Sequence, residues 1–318
     1  MNPGRLAGSL LAALIAARPL PAQQAAQVRW TPDTIRQGTL IRLEVTPRLP
    51  EGNNAGVFLV TGRLAGEPLH FAIDTAGTWS ALGPVPVGAD SALPLVIELT
   101  RATGGDTLQL SLPVAVRHFD SEKLSVAPRF GRPPTTAETE RIRSDNARAA
   151  AVGKGAHLTP RLWWQPFIFP RDSRITARYG AARVFNGQLQ SRHLGTDFAG
   201  QVGDEIRAAN RGVVALVADF LLAGRVVYLD HGEGLTTAYF HMSQALVAAG
   251  DTVERGQLIG RVGQSGRVTG PHLHWVFRYG GINVDPLSLE PLGLLDLRPS
   301  PTAAPGGTLD TPPSGRSR

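Results

Sequence analysis

The chain has 318 residues, 42% hydrophobic and 18% charged, with 36 Gly, 25 Pro and no Cys. That size and apolar fraction exclude bulk disorder and a polytopic membrane protein and suggest about two domains. The missing Cys excludes disulfide frameworks, thiolate metal sites and Cys nucleophiles. The formal charge of +6 is carried almost wholly by Arg, without a cationic run or an aromatic-interleaved basic stripe, so no nucleic-acid partner is expected.

At the N-terminus, Arg5 precedes an apolar run from Leu6 to Ala17 that is short of the roughly 20 residues needed to span a bilayer. Pro19, Pro21 and Ala22 then supply a helix break and a small-residue cleavage site. Residues 1–22 read as a secretory signal peptide, which predicts a periplasmic or extracellular protein with no stable membrane anchor after cleavage.

The rest reads as mainly β. Over 28–120, short runs such as Leu40–Val45, Val57–Val60, Leu95–Leu99 and Thr107–Leu112 alternate with Gly- and Pro-rich turns, the pattern of a β-sandwich-like domain. His70 and His118 fall there singly and read as isolated structural or surface residues. Residues 121–165 form a connector in which Glu138–Ala151 is a polar helix, with Ile142 and Ala149 on a thin apolar stripe. A polar connector predicts a modest interface and relative domain movement. From 166 to 292 antiparallel hairpins dominate, and 293–318 reads as a disordered tail, Pro- and Gly-rich from Pro299.

Five of the eight histidines lie between 193 and 274. In His272-Leu273-His274 a strand would direct both imidazoles to one face and Leu273 into the sheet packing. A metal on one imidazole leaves the other within reach of a water at that metal; two ordinary half-exposed histidines would give the same pattern. In His193-Leu-Gly-Thr-Asp197, Gly195 permits a bend that unites His and Asp. With His274 this makes two imidazoles and one carboxylate, a donor set suited to Zn²⁺ with an open fourth position. A metal-free acid–base pair would need a separate nucleophile, and no partnered Ser or Cys is evident.

Ile175–Gly180, His193-x-Gly-x-Asp197, His231–His241, Gly250–Gly260 and Gly270–His274 resemble, in order, the blocks of the lysostaphin/LytM-type zinc metallopeptidases that cut peptidoglycan. The likeness covers about 166–290; Leu124–Phe130 and the preceding β-region resemble, more loosely, an accessory region found ahead of that domain. The resemblance implies His193, Asp197 and His274 as Zn²⁺ ligands, His241 and His272 as catalytic histidines, and peptidoglycan peptide crosslinks as the substrate of an endopeptidase. His231 reads as structural. Asn186 is a candidate to approach the metal at rest, and Phe240 and Met242 depart from the family pattern in a way expected to alter the groove.

Gly250–Gly260 also resembles biotinyl/lipoyl carriers, but it holds no Lys to modify. Two alternatives stand beside the peptidase reading: a non-catalytic wall-binding module or activator of other hydrolases, and a secreted protease acting on other proteins. The first is told apart by loss of the metal ligands, all present here; the second differs only in substrate.

Overall fold

The computed structural model describes residues 25–48, 57–102, 104–124, 133–185 and 188–297. The predicted signal segment, Asn186 and Pro299–Arg318 lie outside the described residues.

Strands β1 (Ala26–Thr31), β2 (Leu40–Pro47), β3 (Val57–Leu64), β4 (Glu67–Pro68), β5 (Ala72–Ile73), β6 (Trp79–Pro84), β7 (Ala92–Arg101) and β8 (Gly104–Pro113) make two antiparallel sheets, ordered β1-β2-β6-β5 and β4-β3-β7-β8. Period-two alternation sets their inner faces: Leu43 and Val45 of β2, and Leu95, Ile97 and Leu99 of β7, meet in one core.

After β9 (Ser121–Leu124) comes helix α1 (Thr136–Gly155), longer at both ends than its thin stripe predicts. Its start is fixed by a capping box: Thr135 Oγ1 accepts from Glu138 N–H at 3.2 Å and Glu138 Oε2 from Thr135 N–H at 2.8 Å. Such a cap contributes about 1 kcal/mol. The contact face of α1 is made mostly of small or polar residues, with Val152 beside them. Ala149 packs against an apolar cluster, Asp145 is buried and accepts from Leu221 N–H at 2.8 Å, and a Cβ on Gly153 would strike the Gly280 carbonyl.

The remaining strands are β10 (Phe167–Ile168), β11 (Ile175–Ala177), β12 (Ala182–Phe185), β13 (Gln188–Arg192), β14 (Thr196–Ala199), β15 (Glu205–Arg207), β16 (Gly212–Phe220), β17 (Gly224–Gly232), β18 (Leu235–Ala245), β19 (Thr252–Val253), β20 (Leu258–Val262), β21 (His272–Tyr279), β22 (Ile282–Val284) and β23 (Leu295–Asp296). The large sheet runs β11-β14-β21-β18-β17-β16-β19, with β20 joining β15 to β18, and β22 on β21. Along β21, Leu273, Trp275, Phe277 and Tyr279 point into the main core. Each such burial contributes about 1.5–3 kcal/mol. His272, His274, Val276 and Arg278 take the other face. Glu233 and Gly234, both at positive φ, turn β17 into β18.

Two expectations are modified. Leu295–Asp296, inside the predicted tail, pairs in parallel with Phe167–Ile168, because Leu294 and Leu295 are apolar and dock on the core. The connector also does not hang free: α1 covers part of the site-bearing face of the large sheet through Ala149 and Val152. The sandwich region is also bonded to the segment that follows β22. Leu40 N–H donates to Ser288 Oγ (2.9 Å), Asp285 N–H to Gly38 O (2.7 Å), and Arg117 Nη2 to Asp285 Oδ2 (2.7 Å). His70, read as isolated, instead meets His157 at 2.9 Å, whose other ring nitrogen lies 2.9 Å from Glu67.

Candidate metal centre

Cα register places Asp197 of β14 opposite His274 of β21, and His274 opposite Phe240 of β18, so the three share a row on one face. His193 reaches this row because the chain bends at Gly195. Gly195 is required for space rather than for a left-handed turn. A Cβ there would lie 2.6 Å from the Trp275 carbonyl oxygen and 2.7 Å from the His274 ring.

His193 Nε2, Asp197 Oδ1 and His274 Nδ1 converge. The separations are 2.9 Å (His193–Asp197), 2.8 Å (His193–His274) and 2.6 Å (His274–Asp197), and all three residues are buried. His193 Nδ1–H donates to Arg178 O at 2.9 Å, which leaves Nε2 a lone pair. Burial alone would raise the Asp197 carboxyl, but His274 and His193 beside it hold it well below the ordinary carboxylate range. Burial holds His274 down to about 4, opposed by Asp197, so its ring is neutral near pH 7. One proton on His274 Nδ1 can serve only one of the other two atoms well, whereas a cation between them serves all three. Two imidazole nitrogens and one carboxylate oxygen are a donor set that fits Zn²⁺.

The two other histidines stand beside this cluster. The His241 and His272 ring centroids are 5.0 Å apart, and His241 is 6.0 Å from His274. His241 Nδ1–H donates to Ser265 O at 2.8 Å and His272 Nδ1–H to Gly270 O at 2.9 Å, a tautomer that places the lone pair of each neutral ring on Nε2. Burial, with His274 and His272 nearby, holds His241 at about 3. His272 Nε2 lies 3.7 Å from Asp197 Oδ2.

His241 arrives by a β-bulge. Between the β17–β18 pairs Val227↔Tyr239 and Arg225↔Met242, Phe240 and His241 stand against the single residue Val226. His241 has φ of 62°, in the left-handed region. Phe240 and His241 both come within 6.0 Å of the His274 ring, centroid to centroid, and Phe240 stacks on it at 5.2 Å and 28°. Met242 is sent to the core instead, so of the two departures flanking His241 only Phe240 shapes the groove.

Arg183, which spacing does not single out, puts Nη2 3.0 Å from Asp197 Oδ2. His231 lies away from this cluster: fully buried, it donates from Nδ1 to Arg211 O (2.8 Å) and meets Thr237 Oγ1 (2.8 Å) on the core side. Among the described residues, His193, Asp197 and His274 are the one group of His and acidic side chains convergent enough to hold a metal ion.

Residues 191–286 match the sequence profile of peptidase family M23. The chain carries an M23 peptidase domain. The chain is 39% identical over 119 residues to the peptidoglycan DD-endopeptidase ShyC of Vibrio cholerae, covering 37% of this chain and 27% of that protein. It is 46% identical over 110 residues to ShyA, a peptidoglycan DD-endopeptidase of the same organism, covering 34% and 26%. The chain thus spans about a quarter of the length of these curated relatives. Beyond the M23 domain, the fold is shared with a Pseudomonas aeruginosa protein assigned to the M23 peptidases, at TM-score 0.57 and 24% identity over 79% of this chain and 93% of that one.

Proposed function

We propose that the chain is a Zn²⁺-dependent endopeptidase that hydrolyses peptide crosslinks of peptidoglycan, working in the periplasm or outside the cell. The observation that carries the reading is the convergence of His193 Nε2, Asp197 Oδ1 and His274 Nδ1 beside two histidines whose Nδ1 is held by a backbone carbonyl. The likeness of part of the chain to peptidoglycan DD-endopeptidases supports the substrate class. Among the described residues no helix is long and apolar enough to cross a membrane.

Held by His193, Asp197 and His274, a zinc ion supplies Lewis-acid polarisation of a carbonyl oxygen and acidification of water. His272 and His241 orient the attacking water by accepting its hydrogen bonds at Nε2 and take its proton there. The ring that takes this one proton donates from Nε2 to the oxyanion of the tetrahedral carbon and then passes the same proton to the leaving amine. Backbone carbonyls at Ser265 and Gly270 hold Nδ1 of each ring in its donor role throughout. Arg183, on Asp197 Oδ2, leaves Oδ1 to face the centre.

The test combines metal analysis of the purified chain with digestion of crosslinked muropeptides followed by chromatography. About one zinc per chain and release of uncrosslinked products are expected. A zinc-loaded chain that binds muropeptides without cutting them would instead favour a wall-binding role.

A further inference from the structure

Two of the three proposed ligands are held by a hydrogen bond on the side away from the centre. His193 Nδ1–H donates to Arg178 O (2.9 Å), and Asp197 Oδ2 accepts from Arg183 Nη2 (3.0 Å). His274 has no such bond. Its Nδ1 faces His193 and Asp197, and its Nε2, beside Gly195, has no hydrogen-bond partner among the described residues. The torsion that turns an imidazole about its Cβ–Cγ bond is intrinsically broad and sets no single orientation. Half a turn would put a ring carbon where Nδ1 faces the centre. A ligand histidine is ordinarily kept from turning by a bond at its second nitrogen.

Here a ring stands in for that bond. Among the described residues three rings surround His274: His193 at 4.8 Å and 49°, His241 at 6.0 Å and 60°, and Phe240 at 5.2 Å and 28°. Only Phe240 lies nearly parallel, so the imidazole cannot turn without driving an edge into the phenyl face. Phe240 is itself fixed. Register sets it opposite His274, the Tyr228 ring lies against it at 5.7 Å, and it packs on the cluster that holds Ala238 and Val276. In a regular strand Phe240 and His241 would point to opposite faces; the bulge against Val226 brings both rings to His274. The left-handed backbone at 241 therefore places two rings. Position 240 is also one of the two at which the sequence departs from the family pattern.

We infer that Phe240 is a positioning residue of the metal centre: its ring, stacked on His274, keeps Nδ1 aimed between His193 and Asp197 where no hydrogen bond does so. The inference rests on the ligand set of the peptidase reading and adds to it a side chain that has no donor atom.

The test uses the full chain as wild type, Phe240→Leu, which keeps apolar bulk without a flat face, and Phe240→Tyr, which keeps the ring. Chelator competition reads zinc affinity, the visible absorption bands of the cobalt(II)-substituted chain report ligand geometry, and Tm of the metal-free chain reports folding. Phe240→Leu is expected to bind zinc about tenfold more weakly and to alter the cobalt bands, with the metal-free Tm close to that of wild type. Phe240→Tyr should stay within about twofold of wild type in affinity and reproduce its bands. A Phe240→Leu chain with wild-type affinity and bands overturns the role of Phe240 and leaves the ligand set standing. So does a Phe240→Tyr chain that loses as much as Phe240→Leu, or a loss of affinity that comes with a lowered Tm and unchanged bands. A wild-type chain that takes up neither ion overturns the ligand set itself, and the inference with it.

Discussion

Arg183 Nη2 sits 3.0 Å from Asp197 Oδ2, the carboxylate oxygen that does not face His193 and His274. One Asp oxygen is thereby occupied by a guanidinium and the other is presented to the centre. Groups that orient a ligand from behind typically change metal affinity by 10–100-fold when removed. Arg183→Ala is therefore expected to weaken zinc binding on that scale in a chelator competition, and Arg183→Lys to recover part of the loss. Unchanged affinity in Arg183→Ala would show that Asp197 is positioned by its strand alone.

Ligand and catalyst should separate cleanly within β21. His274→Ala is expected to lose both zinc and activity, whereas His272→Ala should keep zinc and lose at least ~10²-fold in rate. Metal content and muropeptide turnover, measured on the same preparations, check both. Equal zinc loss in the two variants would mean that the roles of the two imidazoles are exchanged.

The left-handed backbone at His241 makes a prediction about stability as well as rate. With φ of 62°, any side chain there costs about 1–2 kcal/mol that Gly escapes. His241→Gly should be at least as stable as His241→Ala, by about 1 kcal/mol in urea unfolding, although both lose activity. A less stable Gly variant would mean that the bulge carries no strain.

His231 gives a pH dependence. Burial, opposed by its bond to Arg211 O, lowers its pKa from 6.5 to about 4, so it is neutral in the folded chain and protonates first in the unfolded one. Stability should fall as pH drops from about 6.5 towards 4, by about 2 kcal/mol at pH 5 from this group. Urea unfolding of the wild-type and His231→Gln chains at pH 7 and pH 5 is the check: the variant should lose about that much less. Equal losses would mean that the ring is already charged when folded.

Much of the site could be read in the sequence because β21 alternates strictly: His272 and His274 on one face, Leu273 and Trp275 on the other. His193 and Asp197 were legible through Gly195, although its packing against Trp275 O and the His274 ring was not. His241 was silent to spacing, since a bulge breaks the period that spacing relies on, and for the same reason Met242 could not be assigned to the core. Arg183 left no trace because its partner is 14 residues away on another strand. Helix α1 announced itself as a polar connector: the face it buries is Ala149, Gly153 and Asp145 with the single larger aliphatic Val152, too little hydrophobic signal to mark a packed face.

That seating of α1 has a practical corollary for anyone isolating the C-terminal part. Tyr228, Ala238 and Val276 are shielded by Ala149 and Val152, so a polypeptide begun at Phe167 would carry a bare greasy patch on the same face as His274. Such a fragment is expected to self-associate with its working face inward, and its inactivity would then be mistaken for a missing cofactor. The natural place to start is ahead of the Thr135 cap, so that the helix travels with the sheet it covers.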